Sequence, residues 1–360
     1  MFNNLNHYVL SGTSAITSVG GNAATTCAVV NAKIIGVAQH SLYRCKPLHP
    51  NEEKALPLFC SRVPFVNEEQ GGVERLLKLA VPALREVVAN AKLETTRLAD
   101  GKLLLALPAL DVVTATWGAE QAFVPNLCQR AGIYPIGQSH IQFGESTSFF
   151  ELLAESCKAL EKGECQFCIV GAVDSYLFKH RLDELDKHWR LRSTKNVDGF
   201  IPGEAASFMV IEKLEAAKWR GVRPLASINA LGFSDENNAA DTGRKSSGVG
   251  LTQAIRQALV GITDRVDVIY GDLNGESYRA FEWGITQVRV ADQLSVDFSL
   301  RHPAECYGDV GVATGALLLT LAADELQTKE SLLTPKTVLM FTASHNTGAR
   351  AAASLHSINE

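Results

Sequence analysis

The stretch GESTSFFELLAESCKALEKGECQFCIVGAV, Gly144 to Val173, leaves this chain few folds to choose from. From Phe149 to Leu160 apolar residues recur every three or four positions, the period of a helix with one buried face. Small hydroxylated residues precede it, where side-chain oxygens accept from free N–H groups, so Ser146 is expected to cap this helix. Cys165 to Val173 follows as an apolar run without polar alternation, the mark of a strand covered on both faces. Helix and strand of this kind belong to a layered α/β core.

The same alternation surrounds this stretch. Tyr8–Ile16, Leu103–Leu107 and Phe208–Leu214 read as strands, and Asn22–Val37 and Gly71–Ala91 as helices. The pattern then begins again, with strands at Leu225–Phe233, Val266–Tyr270 and Thr337–Thr342 and helices at Leu251–Val260 and Gly311–Ala323. At 360 residues the chain is long for one core. Two similar halves are therefore expected, residues 1–217 and 218–360, meeting in Glu215–Arg223 without a low-complexity linker.

Charge and apolar content narrow the function classes. A net charge of −5 with no dense Lys/Arg run gives no footprint for nucleic acid or an anionic membrane, although an acidic carrier protein needs only a local basic patch. No window reaches the ~18 apolar residues of a membrane span, and no basic n-region precedes an apolar run, so the expected location is cytoplasmic. The eight cysteines are scattered through apolar segments, as reduced buried thiols are. Cys165 and Cys168 form a CxxC, but no second ligand pair stands at zinc spacing, so the pair reads as strand filler. No metal or cofactor is expected.

Four segments, in order, resemble the β-ketoacyl synthases of the thiolase-like superfamily. YVLSGTSAITSVGGN is similar to that family's opening "ITGxGxVxPxG", and IQFGESTSFFELLAESCKALEKGEC with IVGAVDS to its nucleophile segment, "DTACSSSL" leading to "GECDxALVAG". DGFIPGEAASFMVIEKLEAA, Asp198 to Ala217, resembles "DGFVxGEGAxxxVLExLxxA", and GDVGVATGALLLTLA resembles "GHxxGAAGAxxxxxA". The resemblance spans nearly the whole chain. It implies a five-layered αβαβα fold, with one mixed sheet in each of two pseudo-symmetric halves. It also implies a homodimer, or a heterodimer with an active ketosynthase, built around Ser139–Gly144.

The resemblance also locates the chemistry, and the residues there differ from the family's. Condensation needs a cysteine thiolate to take the acyl chain, because a thiol is partly ionised near neutral pH and an alcohol is not. Ser146 stands in that place. Asn274 and Asp309 fall on the two histidines that polarise the malonyl thioester, Ala304 falls on the lysine, and SHNTGAR, Ser344 to Arg350, replaces the gating "GFGGTN" loop. The expectation is a ketosynthase-like pseudoenzyme acting as an accessory or scaffold subunit, in the manner of chain-length factors, with an acyl carrier protein as a further partner. One alternative is a serine acyltransferase or hydrolase in which His345 activates Ser146 and Asp309 orients His345. Another is an adaptor in a secretion-system or biosynthetic gene cluster.

Three further readings complete the expectations. Glu204 matches a structural glutamate of the family. Trp189, Arg190 and Arg192 read as a solvated basic loop, with contact to a carrier's phosphopantetheine as the alternative. The segment between residues 38 and 100 is short for the family, which implies a reduced cap over an acyl tunnel.

Overall fold

The computed structural model describes residues 2–3, 5–46, 55–109, 119–134, 136–327 and 336–358. Its strands are β1 (Phe2–Asn3), β2 (Tyr8–Ile16), β3 (Ala38–Cys45), β4 (Leu56–Cys60), β5 (Gly101–Pro108), β6 (Gln138–Gly144), β7 (Phe167–Ser175) and β8 (Glu204–Lys213) in the first half. The second half supplies β9 (Ala226–Asp235), β10 (Val266–Gly271), β11 (Leu294–Arg301), β12 (Thr337–Ala343) and β13 (Ala349–His356). The longer helices are α1 (Ala23–Asn31), α2 (Gly72–Asn90), α3 (Ala119–Ala131), α4 (Ser148–Glu161), α5 (Lys179–Lys187), α6 (Val249–Ala258), α7 (Ser277–Arg289) and α8 (Thr314–Gln327).

The strand order exposes an internal repeat. The first half runs β6-β5-β7-β8-β2 and the second β11-β10-β12-β13-β9. In each, the second strand in this order, β5 or β10, pairs in parallel with both its neighbours, and two antiparallel pairings complete the sheet. The sheets are not separate, as one sheet per half would have it. The inner strands β2 and β9 pair antiparallel through Val9–Ser227 and Leu10–Ala226, because the two repeats set their first strands side by side. This is the thiolase-like layering that the resemblance implies.

Helix composition follows layer position. α4 and α8 lie between the sheets, in the cluster that holds Phe149, Phe150, Leu318 and Leu321 together with Met209 and Met340. Eleven of the fourteen α8 residues are buried, as a helix covered on all sides requires. α2 and α3 cover the outer face of the first sheet, and α6 and α7 that of the second. Among the described residues no helix is long and apolar enough to cross a membrane.

Two local expectations need correction. The first helix does not reach Val37: Asn22 caps it by accepting from Thr25 N at 2.7 Å, and it ends at Asn31, with Lys33 in the left-handed region at φ 56° turning the chain toward β3. Cys165 is not part of a strand; it sits half-buried in the turn before β7, while the other seven cysteines are buried and all eight are free. In the segment expected to be short, β3 and β4 form a hairpin against α5; residues 47–54 of it lie outside the described residues.

Candidate functional site

The parallel strands of both halves direct their carboxyl ends to one place. β6 leads to Ser146, β10 to Asn274, β11 to Ala304 and Asp309, and β12 to His345. All five line a cavity of about 880 Å³. Ligand sites of α/β proteins form outside the carboxyl ends of strands, where loops diverge. Residues up to 199 positions apart in sequence thus line one cavity.

Ser146 does not cap α4. The N-cap is Thr147, without a side-chain cap bond, and the Ser146 hydroxyl donates instead to the Ala343 carbonyl at 3.1 Å. Around it the segment is clasped by the loop after β12. Thr342 Oγ1 donates to the Ser146 carbonyl at 3.3 Å, and the Thr147 and Ser344 hydroxyls lie 2.9 Å apart. The Glu145 carboxylate accepts from His345 N at 2.6 Å and from Asn346 N at 3.2 Å. The other end of the loop is anchored by Arg350, buried, whose Nε donates to both Glu282 carboxylate oxygens at 2.9 and 3.0 Å.

At Asn274 and Asp309 an ion-pair network takes over. Asn274 Nδ2 donates to Asp309 Oδ2 at 2.7 Å and to Glu276 Oε2 at 2.9 Å. Glu276 accepts a bidentate pair from Arg190 at 2.8 and 2.9 Å and faces Arg279 at 3.7 Å. Arg279 pairs with Asp272, which accepts from Ala343 N at 2.7 Å. Burial pushes the Glu276 carboxyl up, but the Arg190 hydrogen bond and charge outweigh it, with Arg279 and Asn274 adding, and hold it at about 2. Burial raises the Asp272 carboxyl despite Arg279.

His345 stands apart from this network. Burial, with the charges of Arg190, Arg279 and Arg350, lowers its imidazole to about 4, so the ring is neutral near pH 7. Among the described residues it makes no hydrogen bond to Ser146, and Asp309 accepts from Asn274 and from Gly311 N at 2.8 Å, not from His345. The residues of a Ser146–His345–Asp309 relay share a cavity without forming one. Ala304, at the lysine position, is half-buried and brings no charge.

Two glycines beside Asp309 have no room for a side chain. Gly308 adopts φ +72°, and a Cβ there would lie 2.7 Å from the Ile201 carbonyl oxygen. Gly203, in the IPGEAAS segment, would place a Cβ 2.4 Å from the Tyr307 carbonyl oxygen. These contacts hold the Asp309 loop on β8, with Gly203 N donating to Asp309 O at 2.8 Å. Next to Gly203, Glu204 is fully buried and accepts from Arg75 at 2.6 and 3.0 Å, Ser175 at 2.9 Å and Val63 N at 2.9 Å. It is a network residue.

Several residues that shape the cavity were not singled out from sequence. Glu145, Asp272, Glu276 and Arg279 had no signal beyond their closeness to Ser146 and Asn274. Arg190 belongs to the site by its bidentate pair with Glu276, whereas Trp189 and Arg192 are exposed as a solvated loop would have them. Asp174 and Arg181 pair at the end of β7, with the Arg181 guanidinium 3.9 Å over the Tyr176 ring.

Comparison with known proteins agrees with this fold. Residues 140–217 match the sequence model of the β-ketoacyl synthase N-terminal domain. This is a ketosynthase-like chain of the thiolase fold. A putative polyketide β-ketoacyl synthase 1 of Streptomyces cyaneus is 29% identical over 147 residues, covering 37% of this chain and 34% of that protein, so the match spans about a third of the relative. The fold matches a type II polyketide synthase acyl-carrier protein in complex with its ketosynthase, at TM-score 0.78 and 13% identity over 99% of this chain and 100% of that one. It also matches the ishigamide ketosynthase/chain length factor, at TM-score 0.75 and 15% identity over 100% of both chains. A ketosynthase domain of the oxazolomycin synthase of Streptomyces albus JA3453 gives 0.78 and 13% over 98% of this chain and 76% of that one.

Proposed function

We propose that this ketosynthase-like chain does not run Claisen condensation and serves as the companion subunit of an active ketosynthase, as a chain length factor does. One observation carries the reading: Asn274 and Asp309 are hydrogen-bonded to each other inside the Arg190–Glu276–Arg279–Asp272 network. Neither side chain is free to polarise a thioester carbonyl. The nucleophile position adds to this, since an alcohol needs a base to attack and the Ser146 hydroxyl is committed to the Ala343 carbonyl. The halves 1–217 and 218–360 act as one platform in this role.

The surface offered to the partner is β6. It is the last strand of the first sheet, pairs among the described residues only with β5, and leaves Gln138, Ser139 and His140 exposed. An uncovered strand edge is a hazard in solution, and pairing it across a molecular twofold removes the hazard. An acyl carrier protein approaches the assembled pair, as one does in the type II complex that shares this fold.

The test is reconstitution. The purified chain, given acyl and malonyl carrier substrates, yields no 3-oxoacyl product, and light scattering at micromolar concentration shows a homodimer or a heterodimer with a co-purified ketosynthase. Product that disappears in Ser146→Ala overturns the non-catalytic reading, and a monomer with no partner overturns the companion reading.

A further inference from the structure

Cys165 and Cys168 form a thiol site at the opposite end of β7 from the cavity. Cys165 lies in the turn before the strand and Cys168 is its second residue, and their Sγ atoms are 3.4 Å apart. A disulfide requires about 2.05 Å, so the sulfurs are already in contact and need only a small approach. Exposure separates their roles: Cys165 is half-buried and reachable, whereas Cys168 is fully buried behind it. On the neighbouring strand Lys102 is in register with Cys168, its Nζ held at 3.1 Å from Glu155 and 3.8 Å from Glu164.

We propose that Cys165 and Cys168 are a reversible dithiol–disulfide site, in which Cys165 attacks a small-molecule disulfide of the glutathione type and Cys168 resolves the adduct. The Cys165 thiolate, its proton gone to solvent, bonds to one glutathione sulfur. The glutathione S–S bond breaks, and the departing thiolate takes up a proton. Cys168 then bonds to Cys165 Sγ, the Cys165–glutathione bond breaks, and the Cys168 proton passes to the second departing thiolate. The protein gives up two electrons and two protons, and one glutathione disulfide becomes two thiols.

The environment favours this pair over the remaining cysteines. The thiolate is the attacking form. A hydrogen bond from Cys168 holds the Cys165 thiol below the ordinary range against burial, with the Lys102 charge helping and Glu164 opposing. Burial pushes the six cysteines outside the pair up. So short a loop also removes little unfolded-state entropy when closed, which makes the bond a poor staple and an easily reduced one.

Incubation of the full chain with oxidised glutathione, read by intact mass and peptide mapping, tests the site. The wild type is expected to lose the mass of two hydrogens, to show a Cys165–Cys168 linkage, and to recover its mass with dithiothreitol. Cys168→Ser is expected to accumulate a glutathione adduct on Cys165, and Cys165→Ser to stay unmodified over the same time. A lasting adduct on wild-type Cys165, modification centred on another cysteine, or no reaction of the wild type overturns the proposal. The wild-type outcome does not depend on either variant folding.

Discussion

Asn274 Nδ2 donates to Asp309 Oδ2 at 2.7 Å, so the two positions that resemble the histidines of a ketosynthase are tied to each other. A histidine pair needs free ring nitrogens directed at a thioester oxygen. Here one side chain is an amide shared between two carboxylates, and the other is a carboxylate that also accepts from Gly311 N. The arrangement is a closed polar network where the family keeps open donors.

Restoring the nucleophile alone should therefore restore nothing. Ser146→Cys supplies a thiol beside the Ala343 carbonyl, without a histidine at position 274 or 309 or a lysine at position 304. Neither Ser146→Cys nor Asp309→His is expected to yield 3-oxoacyl product, measured by mass spectrometry of the carrier-bound chain. Product from Ser146→Cys alone would show that the surrounding network can do the histidines' work.

Glu276 gives the site an acid-sensitive component. Its carboxyl is held at about 2 against an ordinary 4.5, so folding favours the ionised form. The contribution is present above pH 4.5 and is lost as pH falls toward about 2. Glu276→Gln should cost roughly 3 kcal/mol near neutrality, and the gap from the wild type should narrow as pH falls through that window. Urea unfolding at several pH values reads the difference. A gap constant with pH would mean that Arg190 does not bias the carboxyl.

How much of this was legible in the sequence depended on the range of the interaction. α2, α4, β7 and β10 follow from local periodicity, and the converging site positions follow from the motif resemblance. β13 was not visible: Ala349–His356 is rich in alanine, carries no β-branched residue, and is a strand because β9 and β12 flank it. The Glu145 latch joins residues about 200 positions apart, and the Arg190–Glu276 pair spans 86. No local pattern encodes such contacts. Ser146 was assigned to the helix it precedes, but a competing acceptor, the Ala343 carbonyl, comes from the far end of the chain.

The Arg75–Glu204 pair should be a stability determinant independent of the cavity. Both side chains are fully buried, and Glu204 also accepts from Ser175 and Val63 N. Removing one partner leaves an uncompensated charge, which costs about 3–5 kcal/mol. Arg75→Met is expected to fall in that range by chemical denaturation, and Arg75→Met/Glu204→Gln to recover part of the loss. Equal costs for the single and double variants would place the penalty in packing instead of charge.

Ser146 itself should be chemically silent. Its hydroxyl needs a base within hydrogen-bond reach, about 2.6–3.2 Å, or one bridging water away. His345 is neutral near pH 7 and so has the correct protonation state, but its backbone N–H is held by Glu145, and its ring makes no bond to the serine among the described residues. The Ala343 carbonyl accepts the hydroxyl's hydrogen bond and is not a base, and Asp309 is engaged with Asn274. A fluorophosphonate probe is expected to leave the wild type unlabelled, and Ser146→Ala to lower stability by about 1 kcal/mol through the lost hydrogen bond. Labelling of the wild type that vanishes in both Ser146→Ala and His345→Ala would reverse the conclusion, because it requires the loop after β12 to bring the imidazole onto the serine.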